Sequence, residues 1–307
     1  MISFHKSVIP FSVSLLLAII LTNSASALTM HLTEIWIYPI KSLGGIALPE
    51  AVVQRRGLQY DRRWMLVDTA GQFVTQREIS AMALLGTIVE APWLTVFSKT
   101  DPVQHIRIPL ELPADAAQKV MVEVWSARCA AQLMPAPINE WFSDILGQHL
   151  RLVRMPDTTR RAADGRYAPK GQYVSFADGF PFLIIGQASL DDLNSRLADP
   201  LPMNRFRPNF VFTGGTPFAE DAWTDFRIGD VSFKGVKRCA RCVITTIDQE
   251  TALRAREPLR TLAAFRRVGN NIYFGQNVVW MGEAEGAQVR VHDPVVVREA
   301  VNEWGNF

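Results

Sequence analysis

The chain has 307 residues, 48% of them hydrophobic, and a formal charge of +2. That length and composition allow two ordinary domains or one large one with a sizeable core, and they exclude disorder as the default state. A charge so near neutral argues against a nucleic-acid partner, and three cysteines are too few for a disulfide-stapled secreted fold.

In residues 1–29, Lys6 precedes an apolar run from Val8 to Leu21, and Ala25-Ser26-Ala27 supplies small residues for cleavage, which is the form of a signal peptide. The run is shorter than the roughly 20 residues a spanning helix needs. Twin arginines, the mark of export in the folded state, are absent from it. A translation start near Met30 gives a cytoplasmic protein; the alternative is export or membrane association through the apolar segment.

From Met30 to about Leu133 the sequence reads mainly as strands and turns. Arg63 to Gln76 predicts a hairpin, with Trp64 and Leu66 on one face, Met65 and Val67 on the other, and Asp68-Thr69-Ala70-Gly71 as the turn. Ile106, Ile108 and Leu110 alternate in another strand, as do Val120, Val122 and Val124. Strands spaced in this way, with Gly and Pro between them, predict a barrel-like sheet.

After Pro137 the period lengthens. Ile138, Trp141, Phe142, Ile145 and Leu146 recur at helical spacing before Gly147. Arg154 to Gln172 is polar, basic and irregular, and reads as a surface loop between two halves, 30–150 and 151–300. Ser189-Leu190-Asp191-Asp192 has the form of a helix start capped by Ser189, the helix ending near Pro200. Phe210 to Phe212 and Val231 to Phe233 read as strands, Leu259 to Arg267 as a helix, and Gln288 to Val297 as the last strand. The fold class is therefore mixed α+β and strand-dominated.

The segment richest in chemistry is Lys237-Arg238-Cys239-Ala240-Arg241-Cys242-Val243-Ile244-Thr245-Thr246. A structural zinc site needs four ligands, and only Cys129 and five scattered histidines could complete this pair. A dithiol redox site normally opens a helix, whereas β-branched residues follow Cys242 directly. Both cysteines also suit the role of small buried residues at a strand end. Three nearby cations favour a thiolate, however, and with it a metal ligand or a nucleophile. The same surroundings suit an anionic, phosphate-bearing metal cofactor.

Cys239 to Asp248 resembles the cysteine signature of MOSC domains, especially those of the mitochondrial amidoxime-reducing component and its bacterial relatives. Tyr38-Pro39-Ile40-Lys41-Ser42 and Asp61-Arg62-Arg63-Trp64 resemble the opening of the N-terminal β-barrel domain found with them. Asp178-Gly179-Phe180-Pro181, Asn204 to Asn209 and Phe274-Gly275-Gln276 extend the likeness from about Leu32 to Val297. The resemblance implies an N-terminal β-barrel-like domain and a MOSC β-barrel domain with a few helices.

It also implies that Cys242 coordinates the molybdenum of a molybdenum cofactor (molybdopterin). Lys41, Ser42 and Arg62 would hold the pterin and phosphate from the first half, and Arg207, Asn209 and Arg241 from the second. Arg is suited to bidentate contact with phosphate, and Lys acts as a point charge. Asp178 matches a carboxylate near the metal and is the candidate for organising a proton. Gly179, Phe180 and Ala240 stand where family members carry hydroxyl residues. Without the resemblance, Arg62 suits a solvated strand edge, Lys41-Ser42 and Asp178 suit turns, Arg207 a strand start and Asn209 a local cap. Trp64 and Trp223 read as core, Cys239 as a supporting residue and Cys129 as structural.

The implied activity is reduction of N-hydroxylated compounds such as amidoximes, hydroxylamines and N-hydroxylated bases. Electrons would come from a separate cytochrome, ferredoxin or flavoprotein reductase, because no cysteine cluster follows Val297. The competing readings are a sulfur-transfer protein with a persulfide on Cys242 and a carrier of the molybdenum cofactor. Pyridoxal phosphate is not expected.

Overall fold

The computed structural model describes residues 1, 29–113, 118–283 and 286–301. The signal-like reading of the N-terminus falls almost wholly outside the described residues. Among those residues, no helix is long and apolar enough to cross a membrane.

The architecture is strand-dominated. The largest sheet runs, in hydrogen-bonded order, through Val295–Ala300, Trp223–Ile228, Val231–Ala240, Asn271–Trp280, Phe182–Gly186, Phe210–Thr213, His31–Ile37 and Ile46–Leu48. Among the described strands of this sheet, only Phe182–Gly186 and Phe210–Thr213 pair in parallel. A bridge between His31 and Pro294, with backbone hydrogen bonds from Leu32 and His292, brings the first strand against the last and curls the sheet towards closure. Phe182, Phe210, Phe226 and Phe233 fill its interior, with Phe182 stacked on Phe210 at 5.6 Å and Phe233 edge-on to Phe182 at 5.5 Å.

The first half supplies two smaller sheets. One joins Trp64–Val67, Arg151–Arg154, Ala127–Leu133 and Lys119–Val124; the other is the meander Leu85–Glu90, Trp93–Ser98 and His105–Pro109. The helix Ala136–Leu146 lays Ile138 and Phe142 on their shared core and ends at Gly147 in the left-handed region, as its spacing predicts. Trp64 and Trp223 are both core residues, 1% and 3% exposed.

Several expectations need correction. Trp64–Val67 alternates as expected, Trp64 and Leu66 facing one core and Met65 and Val67 another, but both faces are buried, the strand pairs with Arg151–Arg154, and Phe73 returns to Val67 only through a single bridge. The predicted Ser189 cap lies inside a helix, Gln187–Asn194, whose preceding residue is Gly186. The Ser189 hydroxyl is drawn instead to Glu220, 2.9 Å from each carboxylate oxygen, and the helix ends well before Pro200. The helix near Leu259 stops at Phe265. Gln288 to Val297 is two strands, Gln288–Arg290 and Val295–Ala300, which belong to different sheets. The basic stretch from Arg154 is irregular but not merely superficial, since Thr159, Arg161, Ala163 and Ala168 are buried.

Candidate functional site

All eight residues singled out in the sequence line one cleft: Lys41, Ser42, Arg62, Asp178, Arg207, Asn209, Arg241 and Cys242. Its empty volume is about 850 Å³, including the open mouth. The wall carries five cationic side chains (Lys41, Arg62, Arg77, Arg207 and Arg241) against one carboxylate, Asp178. Such an excess of one sign on low-dielectric walls attracts an anion.

Cys242 is set by the end of the long strand Val231–Ala240 and the 3-10 turn Val243–Thr246 that follows it. The Thr245 amide and hydroxyl both donate to the Cys242 carbonyl, at 3.1 and 3.0 Å. Buried Arg205 donates to the Thr245 carbonyl and to Asp248, at 3.0 and 3.1 Å, locking the loop from behind. Cys242 itself is partly exposed, and its Sγ accepts a hydrogen bond from Arg77 Nη2 at 3.4 Å. Cys239 Sγ accepts one from Arg241 Nη1 at 3.0 Å, while Arg241 Nη2 donates to the Phe206 carbonyl. Arg241 Nε is buried and lacks a partner among the described residues.

From the first half, Lys41 donates to Asp178 Oδ1 at 2.6 Å and to the Phe176 carbonyl at 2.9 Å. Burial pushes the Lys41 ammonium below its ordinary pKa, and Asp178 only offsets this. Desolvation pulls Asp178 upward, yet Lys41, the Trp125 indole N–H at 3.1 Å and the Arg77 charge together hold it well below the carboxylate range. Asp178 is therefore ionised at neutral pH. Its backbone is fixed by buried Arg161, which donates to the carbonyls of Ser175, Ala177 and Asp178 at 2.7–2.9 Å.

Arg62 and Arg207 flank Tyr38, each 4.2 Å from the ring centroid. Fully buried Asp61 accepts from Arg62 at 2.8 and 2.7 Å and from the Tyr38 amide at 2.8 Å. Desolvation, with repulsion from Arg62 added, brings Arg207 down to about 10. An anion bound in the cleft against these guanidinium groups would offset both effects. Asn209 is committed to the fold: its amide donates to the Trp36 carbonyl and accepts from the Leu183 amide. Ser42 is buried, and its carbonyl accepts from Gln76, whose amide also pairs with that of Gln249 across the two halves.

Backbone strain concentrates here. Ser42, Arg62 and Arg207 have φ values of 70°, 49° and 55°, and Trp125, which contacts Asp178, has 56°. Left-handed backbone at a non-glycine residue costs on the order of 1–3 kcal/mol and tends to cluster at functional sites. Arg77 is the principal residue that the sequence reading missed. It is stacked on Trp125 at 4.7 Å, and nothing in its local pattern signals a route to Cys242. Of the three departures from the family pattern, Phe180 turns into a small apolar cluster with Val236 and Val279. A Cβ on Gly179 would meet only Asp164, at 4.0 Å.

Fold and site define a two-part, strand-dominated protein with a cysteine-bearing cationic cleft. The family model of the MOSC domain matches residues 171–296, and that of the MOSC N-terminal beta barrel domain matches residues 29–149. The chain is 33% identical over 285 residues to mitochondrial amidoxime-reducing component 1 of Homo sapiens, covering 85% of this chain and 81% of that protein. It is 31% identical over 266 residues to molybdenum cofactor sulfurase of Oryza sativa subsp. japonica, covering 80% of this chain. There the chain spans only 32% of the relative's length. The protein belongs to the MOSC family, in its two-part form with the N-terminal beta barrel domain.

Proposed function

We propose that this protein is a molybdenum-cofactor-dependent reductase of N-hydroxylated compounds. The observation that carries the reading is the cleft itself, where a thiol and five cationic side chains face one carboxylate. The donor set fits a phosphate-bearing pterin. Arg62, Arg207 and Arg241 offer guanidinium N–H groups, Lys41 a point charge, and the unpartnered Arg241 Nε a donor still to be satisfied. Ser42 would complete the cradle, Asn209 would support it from behind through its bonds to Trp36 and Leu183, and Cys242 would be the protein's sulfur ligand to the metal. When bound, the cofactor supplies a centre that stores two electrons.

The overall reaction takes up two electrons and two protons, breaks the N–O bond, and yields the N–H compound and water. Electrons are drawn from a separate redox protein, a cytochrome, ferredoxin or flavoprotein reductase. Arg77 holds the Cys242 sulfur in place through the hydrogen bond to Sγ. Asp178, being ionised and clamped by Lys41 and Trp125, acts as a hydrogen-bond acceptor that orients a substrate N–H or a proton-carrying water. A preparation loaded with cofactor and fed by a reduced viologen dye is expected to convert benzamidoxime to benzamidine. Loaded protein that leaves benzamidoxime intact contradicts the reductase reading. The similarity to molybdenum cofactor sulfurases favours one alternative, sulfur transfer through a Cys242 persulfide, which requires no bound metal or pterin.

A further inference from the structure

Trp125 stands beside the cleft in an unusual setting. With Ser126 it forms the two-residue turn between Lys119–Val124 and Ala127–Leu133, whose facing ends pair as Val124 and Ala127. Its φ of 56° is left-handed, a conformation that glycine supplies without strain in such turns, and the residue is 48% exposed. For a half-exposed tryptophan on strained backbone, what the side chain touches matters more than what it buries.

The indole N–H donates to Asp178 Oδ1 at 3.1 Å, the Arg77 guanidinium lies over the ring at 4.7 Å, and Phe73 packs on the ring at 5.1 Å. Arg77 and Asp178 carry opposite charges and are near enough for the one to lower the pKa of the other. Yet among the described residues no ion pair joins them. Arg77 instead makes two long bonds, from Nη2 to Cys242 Sγ at 3.4 Å and from Nη1 to the Thr75 hydroxyl at 3.5 Å. Asp178 receives Lys41 and Trp125 on the same oxygen, Oδ1, and its Oδ2 has no partner among the described residues. A charge-assisted guanidinium–carboxylate bond is stronger than either long bond of Arg77, so something holds the two groups apart.

We propose that Trp125 is a positioning residue, an aromatic spacer that keeps Arg77 on Cys242 and off Asp178. One side chain engages both charges, the π face taking the cation and the N–H edge the carboxylate. The Cys242 sulfur thereby keeps its donor, and Asp178 keeps one oxygen for a ligand. The importance of Trp125 for turnover rests on the reductase reading, whereas the spacing itself does not.

The test compares crystal structures of wild type, Trp125→Gly and Trp125→Phe. Glycine suits the left-handed turn, so Trp125→Gly removes the side chain and spares the fold. In it, Arg77 is expected to move within about 4 Å of an Asp178 carboxylate oxygen and to leave Cys242 Sγ. Trp125→Phe keeps a ring without the N–H, and Arg77 is expected to stay at Cys242. Arg77 still bonded to Cys242 in Trp125→Gly overturns the proposal. A second readout is kcat per bound molybdenum with benzamidoxime, expected to fall about tenfold in Trp125→Gly. Adding Arg77→Met to Trp125→Gly should restore part of that loss, because no guanidinium is left to occupy Asp178. A merely structural Trp125 makes the double variant slower than either single one, and that result also overturns the proposal. Loaded wild type without activity defeats the reductase reading alone, and the crystal structures still decide the spacer.

Discussion

Glu220 allows a prediction whose size follows from its surroundings. Its side chain is fully buried, accepting from the Gly186 amide at 3.1 Å and from the Ser189 hydroxyl. Desolvation first, and then repulsion from Asp221, push the carboxyl up from 4.5 to about 7. The folded chain thus keeps this proton to higher pH than the unfolded chain does. Its contribution is constant below pH 4.5, falls as pH rises from 4.5 to about 7, and is flat above that. At about 1.4 kcal/mol per tenfold, ionisation costs the folded state on the order of 3 kcal/mol by pH 8. Glu220→Gln keeps an acceptor for Gly186 and a donor for Ser189 but does not titrate. Urea denaturation of both proteins at pH 4 and pH 8 isolates the effect from every other titrating group. The variant should gain about 3 kcal/mol on the wild type between the two pH values. A difference that does not change with pH refutes the assignment.

Other outcomes follow from the cleft. Arg77→Ala removes one of five cations and the donor to Cys242, so cofactor retention should fall about tenfold on dialysis, while Arg77→Lys loses less. Arg161→Met leaves two buried carbonyls and one part-buried carbonyl without their donor and should cost about 3 kcal/mol in urea denaturation. The Cβ of Gly179→Ser would meet nothing closer than 4.0 Å, and the substitution should leave stability within about 0.5 kcal/mol of wild type.

Much of the site was legible because its chemistry is dense in sequence. Lys237 to Thr246 carries cations and thiols together, and the fold keeps Cys239, Arg241 and Cys242 on one wall. Lys41, Arg62 and Arg207 sit in short motifs whose left-handed backbone explains why they are not simply strand or helix. Arg77 was invisible because its value is tertiary: the turn between Thr75 and Glu78 aims it at a cysteine 165 residues away. Ser189 carried the pattern of a cap, but a buried carboxylate 31 residues on is the stronger claimant for its hydroxyl. The strand from Gln288 was read as continuous because it is rich in valine, a β-branched residue, on both sides of Asp293-Pro294. His292 at φ 76° and Pro294, which has no N–H to donate, break it into two. Strand pairing partners were likewise beyond reach, since Trp64–Val67 finds Arg151–Arg154 only in the folded chain.

The most direct measurement of the central claim is molybdenum and pterin content, by metal analysis and cofactor fluorescence. It is made on wild type and Cys242→Ala purified from a host that makes the cofactor. The account predicts near-stoichiometric molybdenum with pterin in the wild type, and loss or altered coordination of the metal in the variant. Wild type that carries neither contradicts it and brings the sulfur-transfer role of Cys242 to the front.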